Sequence, residues 1–182
     1  MDAIEAIKGR RSIRKYTDQK VDRELMAEVI DSARWAPSWG NFQVARWTLV
    51  DDPDLIDRLA SEGVDGFVYN ISTLRNAKGV AVLSFVKGKS GKLEEGTAYS
   101  AGKGKAWEIF DAGLACQSFL LAAYAKGLGT CVMGVINDES IAKIVNLPPE
   151  ETVAALIVYG YPEGKVNPPP RKKVQDIMRF AE

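Results

Sequence analysis

The fold is decided by the stretch WEIFDAGLACQSFLLAAYAK, residues 107–126, which has the length of a long helix. Its residues are apolar at almost every helical position, and a helix that is apolar all round normally lies at the centre of a protein. Gly127 follows directly, at the position where glycine commonly ends a helix. Because Asp111, Gln117 and Ser118 interrupt the run, no membrane span is expected. The stretch therefore predicts a central, buried helix.

Shorter elements precede and follow this helix. Apolar residues at helical spacing predict helices over 2–8, 22–35 and 53–59, and a further helix capped by Asn137 or Asp138. Apolar runs predict strands over 46–52, 79–86 and 152–162. Helices and strands alternate irregularly, with several helices before the first clear strand. This order favours an α+β sandwich over a regular doubly wound sheet.

Length and composition restrict the classes of protein that need to be considered. A chain of 182 residues predicts a single domain, 1–182. Its 24 basic and 24 acidic residues give no net charge, which argues against a general nucleic-acid or membrane binder. Met1 is followed by Asp2 and Glu5 rather than by a secretory signal, and the two cysteines are expected to be reduced thiols. We therefore expect a cytoplasmic protein.

The sequence contains no histidine. This absence excludes a Ser-His or Cys-His nucleophile, an imidazole base and a histidine metal site. Neither a GxGxxG nor a GxxxxGK[ST] motif follows a strand, so the common nucleotide-binding fingerprints are missing too. Any chemistry must come from other side chains or from a bound cofactor, and no metal site is predicted.

Two basic clusters lie near the ends of this neutral chain. The first comprises Arg10, Arg11, Ser12 and Arg14, within the stretch RRSIRKY. The second comprises Arg171, Lys172 and Lys173, which follow three prolines. Guanidinium groups and a hydroxyl within a few residues suit a phosphate group. A solvated basic loop is the alternative, and it explains a bare basic run equally well.

Two further stretches have the composition of ligand-binding loops. In APSWGNFQ, residues 36–43, Ser38, Asn41 and Gln43 surround a glycine and suit a neutral ligand with donors and acceptors. An ordinary turn is the alternative, and it is favoured when the loop is taken alone. In GLGTCVMGV, residues 127–135, three glycines would let the backbone approach a ligand closely. A helix cap followed by a buried connection is the alternative there.

Residues 87–105 differ in composition from their surroundings. They are rich in glycine, lysine and serine and show no apolar periodicity. This composition predicts a mobile, solvent-facing loop, which is either a lid over a binding site or a featureless surface excursion.

Together, and in this order, these stretches resemble the nitroreductase family of flavin enzymes. The resemblance covers essentially the whole chain, from RRSIRKY through PSWGNFQ, which matches the family's P-S-x-x-N-x-Q, to GLGTCVMG and YGYP…PPPRKK. It implies a three-layer α/β/α sandwich with a mixed, mostly antiparallel sheet. It also implies a homodimer with FMN at the interface and a C-terminal segment that extends onto the partner subunit.

The resemblance also implies roles for particular residues. Arg10, Arg11, Ser12 and Arg14 would hold the flavin's phosphate, ribityl chain and pyrimidine side, and Arg171 with Lys172 or Lys173 would close on the phosphate. Pro37, Ser38, Asn41 and Gln43 would reach the flavin from the other subunit, and Asn70 is a weaker match. The stretch Cys131, Val132, Met133 and Gly134 would lie beside the ring, with a backbone N–H near N5. Some members carry an acidic residue where Met133 stands, and any role of that carboxylate does not carry over.

The activity that the resemblance implies is an FMN-dependent oxidoreductase that uses NADH or NADPH. The nicotinamide reduces the flavin and leaves, and a nitroaromatic, quinone or other conjugated acceptor then takes electrons from the same face. Since the flavin supplies the hydride chemistry, no catalytic side chain is required and the missing histidine is no obstacle. Two alternatives remain: a flavin-binding storage or sensor protein without turnover, and a protein that binds RNA or an acidic partner through its basic clusters.

The tryptophans divide into two pairs in this interpretation. Trp39 and Trp107 are candidates for stacking on the flavin or on a substrate, although packing is the better explanation for any single aromatic residue. Trp35 and Trp47 are expected in the core.

Overall fold

The computed structural model describes residues 1–94, 97–100 and 102–181. The helices are α1 (Ala3–Gly9), α2 (Arg23–Ala33), α3 (Pro53–Glu62), α4 (Val68–Asn76), α5 (Ala106–Ala125) and α6 (Asp138–Ile144). The strands are β1 (Ala45–Val50), β2 (Gly79–Val86), β3 (Gly129–Met133) and β4 (Glu151–Gly160). The elements predicted from the sequence are confirmed, with ends that differ by at most three residues.

Side-chain and glycine caps set several helix ends. The Asp52 carboxylate accepts hydrogen bonds from the backbone N–H groups of Asp54 and Leu55, at the start of α3. Asn137 does the same for Ser140 at the start of α6, as predicted. After α5, Gly127 has a φ of +83°, the left-handed conformation that ends a helix without strain.

Strand β3 and helix α4 were not predicted from the sequence. The sequence of α4, VYNISTLRN, contains β-branched residues and asparagines, which are poor helix formers, and its apolar spacing is weak. Thr73 and Leu74 are nevertheless buried, and the helix packs against α3. Tertiary burial therefore forms this helix against its local preference.

The strands form one antiparallel sheet in the order β1-β2-β4-β3. An isolated parallel bridge joins Ser12 to Thr130 of β3. Successive residues of β2 point to opposite faces, so Val80 and Val82 pack with α3 and α6, whereas Ala81 and Leu83 pack with α2 and α5. Both faces of the sheet are thus covered by helices, which confirms the α+β class and the three layers.

One side of α5 packs on the sheet, and the other does not. Phe119 is fully buried and stacks on Trp47 with ring centroids 4.7 Å apart. On the other side, Ile109 and Phe110 are 51% and 55% exposed. The predicted burial all round the helix is therefore wrong within one chain, because no other described element covers this second face.

Two other parts of the chain leave apolar side chains in water. Trp35 lies beyond the end of α2 and is 77% exposed, so its expected place in the core is wrong. The residues after Pro162 are exposed throughout the described tail, including Val174, Ile177 and Met178. In the part of the chain that the structure describes, no helix is long and apolar enough to cross a membrane.

Candidate functional site

The first basic cluster lies along the edge strand β3. The backbone N–H of Ile13 donates to the carbonyl of Thr130 at 2.8 Å, next to the bridge between Ser12 and Thr130. This close approach requires a glycine, because a Cβ on Gly129 would lie 2.7 Å from Cγ1 of Ile13. The strand pairing therefore places the cluster beside residues 131–134, although about 120 residues separate the two in sequence.

The arginines of this cluster differ in what they bind. One terminal nitrogen of Arg11 donates to the carbonyls of Lys8 and Arg10, both at 2.7 Å, so Arg11 closes the end of α1. Arg14 makes one long contact of 3.4 Å to the Ser12 carbonyl. Among the described residues, neither Arg10 nor Arg14 takes part in an ion pair. Two guanidinium groups beside β3 thus lack an anionic partner.

The pKa of Cys131 reflects both its burial and the neighbouring charges. Burial raises the pKa of the Cys131 thiol, whereas the positive charges of Arg14 and Arg10 and the side chain of Ser12 act in the opposite direction. Burial also raises the pKa of Cys116, to about 11. Both cysteines are free thiols, and a raised pKa keeps them protonated at neutral pH, which does not favour a nucleophilic role.

The residues at the C-terminal end of β3 can offer backbone groups to a ligand but carry no charged side chain. Met133 is 2% exposed and its side chain lies in the core, whereas Val132 and Gly134 are exposed. The Asn70 side-chain amide donates to the Val135 carbonyl at 3.1 Å, which brings α4 to the same place. The structure thus gathers Asn70, the first cluster and residues 131–134 at one edge of the sheet.

The polar loop 36–43 has a strained backbone. Gly40, Asn41 and Gln43 have φ values of +53°, +57° and +49°. Left-handed conformations of residues other than glycine cost energy and are common at functional sites. The loop is held by the Ser38 hydroxyl, which accepts a 2.8 Å hydrogen bond from the backbone N–H of Gln43. Asn41 and Gln43 remain exposed.

A buried carboxylate fixes this loop to α5. Asp111 accepts the backbone N–H of Trp39 at 3.0 Å and the hydroxyl of Ser90 at 2.5 Å. The indole N–H of Trp39 donates to the Lys92 carbonyl at 2.9 Å, and its ring contacts Trp107 with centroids 4.8 Å apart. The two tryptophans suggested for ligand stacking therefore contact each other.

Segment 87–105 is anchored at its base rather than wholly exposed. The Glu108 carboxylate accepts the backbone N–H of Gly88 at 2.6 Å and the hydroxyl of Tyr99 at 2.9 Å. Ser90 is fully buried, whereas Leu93 is 80% exposed. The predicted solvent-facing loop is thus wrong for the base of the segment. Residues 95, 96 and 101 of the predicted loop lie outside the described residues.

The second basic cluster and the polar loop do not join the first cluster within one chain. Arg171 donates to the carbonyls of Pro169 and Pro170, and the Lys173 N–H donates to Asp176. Among the described residues, no hydrogen bond links the tail cluster or loop 36–43 to residues 10–14. A single chain therefore assembles one part of the predicted site and leaves two parts exposed.

Two clefts are candidates for a ligand-binding site. One, of about 330 Å³, lies beside the first cluster between Arg10, Arg11 and Ile13 on one side and residues 127–130 and 164–166 on the other. A larger cleft of about 610 Å³ lies elsewhere, and it contains the ion pairs Arg23–Asp51, Arg75–Asp57 and Lys78–Asp18. Because the charges of the larger cleft neutralise one another, the smaller cleft is the better anion site. No group of His, Cys, Asp and Glu with metal-binding geometry occurs among the described residues.

Comparisons with known proteins identify relatives of this chain. Residues 7–161 match the model of the Nitroreductase family. The chain is 27% identical to an NADH dehydrogenase of Thermus thermophilus, over 98% of this chain and 95% of that protein. It is 25% identical to an FMN reductase (NADPH) of Bacillus subtilis, over 97% and 72%. Its fold matches an FMN-dependent nitroreductase of Clostridium difficile with a TM-score of 0.73 at 25% identity, over 96% and 94% of the two chains.

The role of Asp111 as an anchor gives a stability prediction. Replacing Asp111 by alanine removes the acceptor of two buried donors, and we expect the free energy of unfolding in urea to fall by about 2–3 kcal/mol. Asp57→Ala is the matched control: its ion pair with Arg75 is solvent-exposed, so about 1 kcal/mol or less is expected. Equal losses in the two variants would contradict the anchoring role.

Proposed function

The chain belongs to the nitroreductase family, and on that premise we propose that it is an FMN-dependent oxidoreductase. It would take electrons from NADH or NADPH and pass them to nitroaromatic, quinone or similar conjugated acceptors. The observation that carries the proposal is the pairing of residues 12 and 13 with Thr130, which sets two unpaired guanidinium groups beside β3. The relatives named as an NADH dehydrogenase and as an FMN reductase (NADPH) support both possible donors.

The described residues fit FMN by their donor chemistry. A phosphate dianion needs counter-charge and several donors, which Arg10, Arg14 and the Ser12 hydroxyl provide next to a cleft. The Arg11 side chain is hydrogen-bonded to carbonyls at the end of α1. It would therefore bind the phosphate only after those hydrogen bonds break. When bound, FMN supplies the hydride chemistry, and the protein supplies position and charge.

The remaining residues at this edge would position the ring and its substrates. Val132 and Gly134 are exposed residues whose backbone would offer an N–H to the ring edge, and the buried Met133 adds no charge there. The Asn70 nitrogen donates to Val135, and among the described residues its amide oxygen accepts no hydrogen bond. Phe67 and Tyr69, whose ring centroids are 5.5 Å apart, are exposed beside Asn70 and would form an apolar wall for a conjugated acceptor.

We place the complete site at the interface of a homodimer. The uncovered face of α5 and the apolar tail are surfaces that a second copy would bury. Ser38, Asn41 and Gln43 would then reach the flavin of the partner, and the tail would bring Arg171, Lys172 and Lys173 to its phosphate. A cytoplasmic location agrees with the two free thiols.

The proposal is tested by the visible absorption spectrum of the purified protein, before and after anaerobic addition of NADH or NADPH. We expect flavin absorption that bleaches on addition and returns with a quinone or nitroaromatic acceptor. Flavin absorption that persists with both donors would favour the storage or sensor alternative. A protein that takes up no added FMN would contradict the assignment of the site.

Arg14→Ala should weaken FMN binding by about tenfold or more, because a charge-assisted hydrogen bond contributes about 1.5–3 kcal/mol. The dissociation constant is measured by titrating the apoprotein against FMN fluorescence. Arg58→Ala removes a charge on α3, in an exposed pair with Glu62, and should leave FMN binding unchanged. Full flavin retention in Arg14→Ala would remove Arg14 from the phosphate site.

A substitution of Gly113 tests the proposed dimer, because its expected effect on stability is favourable in a monomer and unfavourable in a dimer. It lies on the uncovered face of α5, and a Cβ at this position meets nothing within 4 Å in one chain. In a monomer, Gly113→Arg would favour the helix by about 0.5–1 kcal/mol. In the proposed dimer it places a charged side chain between subunits.

We therefore expect Gly113→Arg to elute as a monomer with native helix content and to lose most of its flavin. Size-exclusion chromatography with light scattering gives the mass, and Ala27→Arg on the exposed side of α2 is the control. A Gly113→Arg protein that remains dimeric would contradict this interface.

A further inference from the structure

Segment 87–105 carries a local positive charge in a neutral chain. It contains Lys87, Lys89, Lys92, Lys103 and Lys105. Against these five lysines stand two acidic residues, Glu94 and Glu95, which leaves a net charge of +3 on a chain whose total is zero. Such a local excess attracts anions without making the whole protein a polyanion binder.

Two of these lysines are held over one aromatic ring. The ammonium nitrogen of Lys92 lies 4.8 Å from the centroid of the Tyr99 ring, and that of Lys105 lies 5.8 Å away. The Tyr99 hydroxyl donates to the buried carboxylate of Glu108, which fixes the ring. Within the described residues, neither Lys92 nor Lys105 takes part in an ion pair. Both cations are thus restrained in position while their charge remains available.

The lysine pair is connected directly to the polar loop. The Lys92 carbonyl accepts the indole N–H of Trp39 at 2.9 Å, and Trp107, two residues after Lys105, contacts the Trp39 ring. Trp39 is flanked in sequence by Ser38 and, two positions on, by Asn41. Since the proposed function places those two residues on the partner's flavin, the lysine pair would lie next to that flavin site.

We propose that Lys92 and Lys105 bind the phosphate groups of the nicotinamide donor. This inference rests on the proposed function. A donor whose nicotinamide ring lies against the flavin carries its phosphates beyond the ring, where they need a counter-charge such as the lysine pair. Lysine ammonium groups are established point-charge binders of phosphate. A neutral quinone has no group that would use these charges, so the lysine pair acts on the donor.

The test compares donors with and without phosphate on the FMN-loaded protein. The variant is Lys92→Gln/Lys105→Gln, and the donors are NADPH, NADH and 1-benzyl-1,4-dihydronicotinamide, which has no phosphate. We expect kcat/KM for the nucleotides, relative to that for the benzyl compound, to fall about tenfold, since the variant loses two exposed charge contacts.

Two matched variants separate charge from structure. Lys20→Gln/Lys143→Gln removes the same charge from exposed positions outside the segment and should leave the donor ratio unchanged. Lys92→Arg/Lys105→Arg keeps the charge and should keep most of the ratio. A fall for NADPH alone would identify the 2′-phosphate as the bound group, and an equal fall for NADPH and NADH would identify the shared diphosphate. A ratio that does not change, or an equal loss with all three donors, would overturn the proposal.

A binding measurement separates this inference from the proposed function. Calorimetric titration of the oxidised protein with NADP⁺ and NAD⁺ requires no turnover, and the glutamine variant should bind about tenfold more weakly. If every donor, including the benzyl compound, fails to reduce the wild-type flavin, the proposed function fails whatever the titration shows. If the wild type is reduced but the glutamine variant binds and reacts normally, the lysine proposal alone fails.

Discussion

Helix α5 carries apolar side chains on two faces, and a single chain buries only one of these faces. Its inner face packs on β1 and β2 through Phe119, Ala123 and their neighbours, and this packing sets the position of the whole second layer. Its outer face, with Ile109 and Phe110, is too apolar to be stable in contact with water over a long helix. Covering that face with a second copy, as proposed above, would satisfy the same hydrophobic requirement. The polar loop and the tail, which are exposed in a single chain, would then reach the site of the partner.

The two carboxylates of α5 connect this packing to the candidate site. Glu108 and Asp111 are three residues apart, so they lie on one side of the helix, and both are buried. Burying carboxylates is costly unless they are hydrogen-bonded, and here each accepts bonds from segment 87–105. Asp111 also holds Trp39. The loop that would reach a neighbouring flavin is thus fixed by the same helix that would form the subunit interface.

The sequence predicted those features that local periodicity and caps determine. The strands β2 and β4 and the helices α2 and α5 follow from their apolar patterns, and Asn137, one of the two expected caps, caps α6. Helix α4 was missed because tertiary burial of Leu74 outweighs weak helix formers. The pairing of residues 12 and 13 with Thr130 joins distant segments, and no local pattern encodes it. The carboxylates of Glu108 and Asp111 in an otherwise apolar helix were a usable signal for this anchor, since buried charges require donors.

The distribution of unpaired charge separates the candidate functions. A protein that binds RNA needs a broad positive surface, but in the cleft of about 610 Å³ the side chains of Arg23, Arg75 and Lys78 form ion pairs with aspartates. Among the described residues, Arg10 and Arg14 beside β3 and the lysine pair of segment 87–105 take part in no ion pair, which suits small anions at defined positions. A flavin-storage protein needs only the cations beside β3, since FMN is its one ligand. A second basic group next to the polar loop, together with exposed aromatic rings beside Asn70, provides for further ligands and therefore favours turnover over storage.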